Sequence, residues 1–265
     1  MKLIGESNLL SKIKKGYRKI LGENLVGIYI HGSLSMNCYN PKFSDIDFLV
    51  IAKEKLDVKT KKNIIDLLLE LSASAPEKGL EMSVVLQKEL DNFKYPTPFE
   101  LHYSKDWKED YENNKIDYSK TECKDPDLAA HITVTINRGF CLYGKPIDKV
   151  FKPIPELYYI DSLIYDLEEV ENNIINDPVY NVLNLCRVLL YLEEKKVASK
   201  SEGGEWALKH ISENYQNIIH YALFIYQGKT ENTGFENKVL VNFAKFMMKK
   251  INAKLKDLPE MNFRS

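Results

Sequence analysis

Along the first stretch of the chain apolar residues recur at helical spacing. Over residues 6–20, Leu9, Leu10, Ile13, Tyr17 and Ile20 fall on one face, which predicts an amphipathic helix. The period then changes. Residues 25–31 (LVGIYIH) form a β-branched and aromatic run closed by Gly32-Ser33, which predicts a strand running into a turn. Residues 34–44 carry loop chemistry, and residues 45–52 (DIDFLVIA) read as a strand with acidic residues at its head. A second helix is expected over residues 57–74, with Ile64, Ile65, Leu68, Leu69 and Leu71 inward, and a third strand over residues 81–86. Segments at 99–103 and 127–143 extend the same region.

Beyond residue 155 the pattern becomes helical, with periodic stretches near 158–175, 179–194, 203–226 and 236–255. Pro146, Pro153 and Pro155 disfavour continuous helix between the two textures. The expectation is an α+β protein of two domains. Residues 1–155 would form a small mixed sheet flanked by helices, and residues 156–265 an all-α bundle.

Composition narrows the function. Lys plus Arg number 37 and Asp plus Glu 38, so the net charge of -1 gives no basic footprint for a nucleic-acid partner. Cys38, Cys123, Cys141 and Cys186 are widely spaced, without CxxC pairs, and read as reduced, mostly buried thiols. The N-terminal stretch lacks the apolar core of a secretory signal, and no apolar run approaches the ~18 residues that span a bilayer. A cytoplasmic protein without a membrane partner is expected.

The chemistry gathers in the N-terminal half. Side chains two apart on a strand share a face, so Asp45 and Asp47 project together, away from Ile46. Paired carboxylates suit Mg2+, which takes one or two of them with phosphates and water. If the strand headed by Glu81 pairs beside theirs, a third carboxylate joins, and the crowded charge calls for a cation. Gly32 permits close backbone approach, and Ser33 can hold nucleotide phosphates. Each piece has a plainer reading, as a solvated strand end, a common turn or an edge-strand charge. The combination points to in-line phosphoryl or nucleotidyl transfer.

The segment IHGSLSMNCYNPKFSDIDFLV resembles the signature of the DNA polymerase beta-like nucleotidyltransferase superfamily. LEMSVV, FELHYSKDW, DPDLAAHITVTINRGFCLYGKPI, NVLNLCRVLLYLEEKKVASKSEGGEWAL and YQNIIHYALFIYQG resemble successive blocks of the streptomycin 3''/spectinomycin 9-adenylyltransferase family. The resemblance implies transfer of AMP from ATP to a hydroxyl of spectinomycin or streptomycin, with pyrophosphate released and antibiotic resistance conferred. It assigns Asp45 and Asp47 to Mg2+ and triphosphate, Gly32, Ser33 and Ser44 to phosphates, and Glu81 to the metal-adjacent base. Lys200 falls where the family supplies a lysine to the phosphates from its helical domain, and Tyr226 where a tyrosine helps close the site. Trp107 and Asp177 fall at drug-contacting positions of members that accept streptomycin as well. By local pattern alone, Trp107 reads as packing and Asp177, before Pro178, as a helix N-cap. Tyr180 departs from the His or Asn of related sequences. The expected partners are ATP and a small antibiotic, and the expected state a monomer.

His31 reads as structural, and His102, His131, His210 and His220 show no ligand spacing, which disfavours zinc. Tyr191, Trp206 and the YALFIY stripe fit helix packing. The acidic residues of 166–171 read as a solvated helix face or as an attraction for a cationic drug. Two other functions fit the same residues: nucleotidyl transfer to another antibiotic class or a protein hydroxyl, and non-catalytic nucleotide binding by a regulator.

Overall fold

A computed structural model describes residues 3–120, 123–230 and 234–258. The chain packs as two compact units, Met1–Ile154 and Pro155–Ser265. The first is built in the order α1 (Leu3–Leu21), β1 (Leu25–Ile30), α2 (Gly32–Ser35), β2 (Ile46–Ala52), α3 (Val58–Ser72), β3 (Leu80–Leu86), α4 (Gln87–Asp91), β4 (Thr97–Phe99), β5 (Leu101–Tyr103), α5 (Lys108–Glu112), β6 (Cys123–Asp125), α6 (Leu128–Arg138) and β7 (Phe140–Gly144). Five strands form one sheet in the order β5-β3-β2-β1-β7, and β4 pairs with β6 apart from it. Only β2 and β3 run parallel, joined across α3; the β5–β3, β2–β1 and β1–β7 pairs are antiparallel.

Strand alternation sends one set of side chains to each face. Ile28, Ile30, Phe48, Val50, Met82 and Val84 pack with Leu9, Ile13 and Tyr17 of α1 and Ile64, Ile65 and Leu68 of α3. Tyr29, Leu49, Ile51 and Val85 pack with Leu128 and Ile132 of α6. Capping fixes where α3 begins: the Asp57 carboxylate accepts from the Thr60 N–H at 2.7 Å.

The second unit comprises α7 (Glu156–Tyr165), α8 (Val170–Asn173), α9 (Pro178–Glu194), α10 (Lys200–His210), α11 (Glu213–Tyr226) and α12 (Asn237–Leu255). Asp177 caps α9 with Pro178 in its first turn, and Ser199 and Glu202 form a reciprocal capping box on α10. A Cβ on Gly203 would lie 2.6 Å from the Arg187 Cα, so α9 and α10 approach each other through glycine.

Several boundaries differ from the sequence reading. The stretch 158–175 is two helices separated by turns, and 203–226 breaks at Ile211-Ser212 into α10 and α11. Segment 127–143 divides at Gly139 into a helix and a strand. Segment 99–103 divides at Glu100 between two sheets, and Leu34 belongs to α2 rather than a loop. The four cysteines are free, but Cys38, Cys123 and Cys141 are half-buried and only Cys186 is fully enclosed. Among the described residues no helix is long and apolar enough to cross a membrane.

Candidate active site

The parallel pairing of β2 and β3 sets Asp47 directly beside Glu81. Asp45 lies one residue before β2, and ligand atoms from Asp45, Asp47 and Glu81 all fall within 4.8 Å of one another. Burial pushes the Glu81 carboxyl up to about 7; His131 pulls against this, while Asp45, Asp127 and Asp125 add to it. A carboxyl held there suits a base working near neutral pH.

The turn after β1 completes the site. Gly32 has φ +64°, and a Cβ at this position would lie 1.9 Å from Asp47 Oδ2, so the turn can lie against the carboxylates only without a side chain. The next residue presents a buried hydroxyl, Ser33 Oγ, with no hydrogen-bond partner among the described residues. Buried polar groups are rarely left so, and an orphan beside three carboxylates suits a cation with its phosphate oxygens. Ser44, buried just ahead of Asp45, accepts from the Asn40 N–H at 3.1 Å and retains its own O–H to donate. The residues present therefore fit Mg2+ with a triphosphate.

Helix α6 adds groups that the sequence reading missed. His131 Nε2 lies 3.1 Å from Asp127 Oδ2 and 3.7 Å from Glu81 Oε1, and its ring centroid is 4.8 Å from that of His31. Burial opposes charge on His131, but Asp127, Glu81 and Asp47 outweigh it and hold its pKa well above the ordinary value. His31 is driven the other way, by burial and by His131. Ligand atoms of Glu81, Asp127 and His131 also lie within 4.8 Å of one another, a grouping that the spacing of histidines along the chain did not suggest. The i, i+4 spacing of Asp127 and His131 on a helix was the available signal.

Along β3 from Glu81, Ser83 Oγ lies 3.0 Å from His102 Nδ1, and the His102 ring meets that of Trp107 edge-on at 6.4 Å. Trp107 precedes α5, is 47% exposed, and lines a cavity of about 500 Å³ with Phe99, His102, Tyr111, Tyr118 and Asp125. About half of its surface is open and the rest is covered, so its ring both packs and faces the cavity. Asp125 both lines this cavity and opposes charge on Glu81, so the cavity borders the carboxylates.

The remaining candidates lie in the second unit. Asp177 accepts from the Tyr180 N–H at 3.2 Å as the α9 cap. The Tyr180 hydroxyl donates to the Asp166 carboxylate at 2.9 Å, Asn184 donates to the same carboxylate at 2.8 Å, and Arg187 lies 3.6 Å from it. Asp166 is therefore tied into the bundle rather than standing on a solvated face, whereas Glu168, Glu169 and Glu171 are exposed. Lys200 opens α10 with its ammonium 4.0 Å from the Tyr180 ring centroid, a cation–π distance. Tyr226 ends α11 and is buried. Asp177, Tyr180 and Lys200 thus form one neighbourhood around the start of α9.

Comparison with known proteins matches two families in succession, "Nucleotidyltransferase domain" over residues 10–119 and "Aminoglycoside adenylyltransferase, C-terminal domain" over residues 149–250. Spectinomycin 9-adenylyltransferase of Enterococcus faecalis is 25% identical over 248 residues, covering 91% of this chain and 96% of that protein. Aminoglycoside (3'') (9) adenylyltransferase of Escherichia coli is 27% identical over 234 residues, 85% of this chain and 87% of that protein. The crystal structure of the Enterococcus spectinomycin adenylyltransferase with ATP and spectinomycin shares the fold, with a TM-score of 0.81 at 24% identity over 93% of this chain and 99% of that one.

Proposed function

Since the chain belongs to the aminoglycoside adenylyltransferase family of nucleotidyltransferases, we propose that it transfers AMP from Mg-ATP to a hydroxyl of spectinomycin, streptomycin or both, and thereby confers resistance. The observation that carries this reading is the three-carboxylate cluster of Asp45, Asp47 and Glu81 beside the unpartnered Ser33 hydroxyl.

Asp45 and Asp47, with Glu81 at their side, would hold Mg2+, which would supply positive charge to neutralise the phosphates. Ser33 and Ser44 hold phosphate oxygens, and Gly32 lets the turn come close. The acceptor oxygen bonds to the α-phosphorus while the bond to the bridging oxygen breaks; the hydroxyl proton passes to Glu81 and pyrophosphate leaves. Trp107 stacks on the drug at the mouth of the cavity. Several carboxylates around the site favour a cationic acceptor.

Pyrophosphate release from Mg-ATP, measured with spectinomycin, streptomycin and other aminoglycosides and lincosamides in turn, tests the reading. Release with spectinomycin or streptomycin is expected. Release only with another acceptor would keep the chemistry and replace the substrate, and ATP binding without release on any acceptor would favour a regulator. Within the reading, Glu81→Gln is expected to leave Mg-ATP binding intact and lower turnover by ~100- to 10,000-fold. Equal loss of both would make Glu81 chiefly a metal ligand.

A further inference from the structure

Glu81 is surrounded by Asp45, Asp125 and Asp127, all of which repel its carboxylate. Among the described residues its carboxylate has one ion-pair or hydrogen-bond partner, His131. That imidazole is itself held from two sides. Nε2 lies 3.1 Å from Asp127, one helical turn earlier on α6, and the ring rests near His31 at the end of β1. We infer that His131 is a positioning residue: anchored on Asp127 at 3.1 Å, its imidazole stands 3.7 Å from the Glu81 carboxylate and keeps it turned toward the acceptor hydroxyl beside Asp45 and Asp47. The inference rests on the adenylyl-transfer reading above.

The pattern is that of a base oriented by a third group, carried by a helix across the sheet rather than by neighbours in sequence. His131→Leu removes the imidazole contact with Glu81 and Asp127 while keeping an apolar side chain of similar bulk against His31. His131→Gln returns an N–H donor at comparable reach.

The experiment measures kcat and the KM for Mg-ATP in the pyrophosphate assay for both variants. The leucine variant is expected to lose ~10- to 100-fold in kcat, as loss of an orienting partner typically costs, with the KM unchanged. The glutamine variant should recover most of the loss. Wild-type kcat in the leucine variant overturns the inference, as does an equal fall in both variants. If the leucine protein does not fold, Asp127→Asn removes the anchor instead, and an unchanged kcat there overturns it. Manganese titration of the wild-type protein separates the rival role. Two ions per chain, falling to one in His131→Gln, would make the group a second metal site and overturn positioning. If the wild-type protein releases no pyrophosphate with any acceptor, the functional reading has failed, and crystal structures of wild type and His131→Leu decide the inference. A Glu81 carboxylate that leaves its rotamer without the imidazole supports it; one that keeps its place overturns it.

Discussion

The two faces of the five-stranded sheet are made from the same strands and differ in almost every property. The face beneath α1 and α3 is apolar along its length, with Ile28, Phe48, Val50, Met82 and Val84 buried. The face beneath α6 begins in the same way, with Tyr29, Leu49, Ile51 and Val85. At its other end Asp47, Glu81 and Ser83 replace the apolar side chains. Strand alternation lets one register serve both, because the side chains that hold the sheet together point away from those that crowd charge on it. The acidic end is therefore mounted on a surface that does not depend on it for cohesion.

Substitutions on either side can break that separation or sharpen it. The largest effect is expected at Asp47. Asp47→Asn should lower pyrophosphate release on the order of 1,000-fold, several kcal/mol of charge stabilisation. Without Mg2+, relief of repulsion should leave its thermal midpoint equal to or above that of wild type. A lower midpoint would mean that the acidic end contributes cohesion after all. Phe48→Ala, one residue along and on the opposite face, should cost about 3–5 kcal/mol of stability in a denaturant titration. Its turnover per folded molecule should stay near wild type, and a large loss would show that the faces are coupled. The smallest effect is expected at Ser33. Ser33→Ala should raise the KM for Mg-ATP by ~10-fold, the scale of one hydrogen bond to a charged group. Stability should not fall, because the buried hydroxyl has no protein partner to lose.

The acidic end was legible in the chain because its parts are local. Asp45 and Asp47 sit two apart at the head of a run with strand periodicity, Gly32-Ser33 closes the preceding run, and Glu81 opens the next. Pairing between those runs makes neighbours of residues 34 positions apart, Asp47 and Glu81. The contribution of α6 was legible only as the i, i+4 spacing of Asp127 and His131, not as a place in the site. Its apolar positions merged with those of β7 into one stretch, and nothing in that stretch tells which sheet face the helix will cover. Asp127 and His131 reach Glu81 through that tertiary choice alone. The breaks at residues 166–169 and 211–212 escaped for a different reason. Neither contains Gly or Pro, and apolar residues such as Leu167 and Ile211 stay buried through them, so the periodic signal survives where the backbone turns. The departure at Tyr180 was visible, but its consequence, a ring beneath the Lys200 ammonium, needed α9 and α10 placed side by side.

The parallel pairing of β2 with β3 also sets how such an enzyme can change over evolutionary time. The crossover between them turns through residues 73–79 and ends at Gly79, whose carbonyl accepts from the Ile46 N–H at 3.2 Å. Residues inserted ahead of that contact lengthen a surface turn and leave the ladder as it is. Loss of Leu80, the one residue between Gly79 and Glu81, would slide β3 by one position, carrying Glu81 and Ser83 to the apolar face and Met82 and Val84 to the acidic one. Variation in length is thus open to lineages on one side of Gly79 and closed to them on the other.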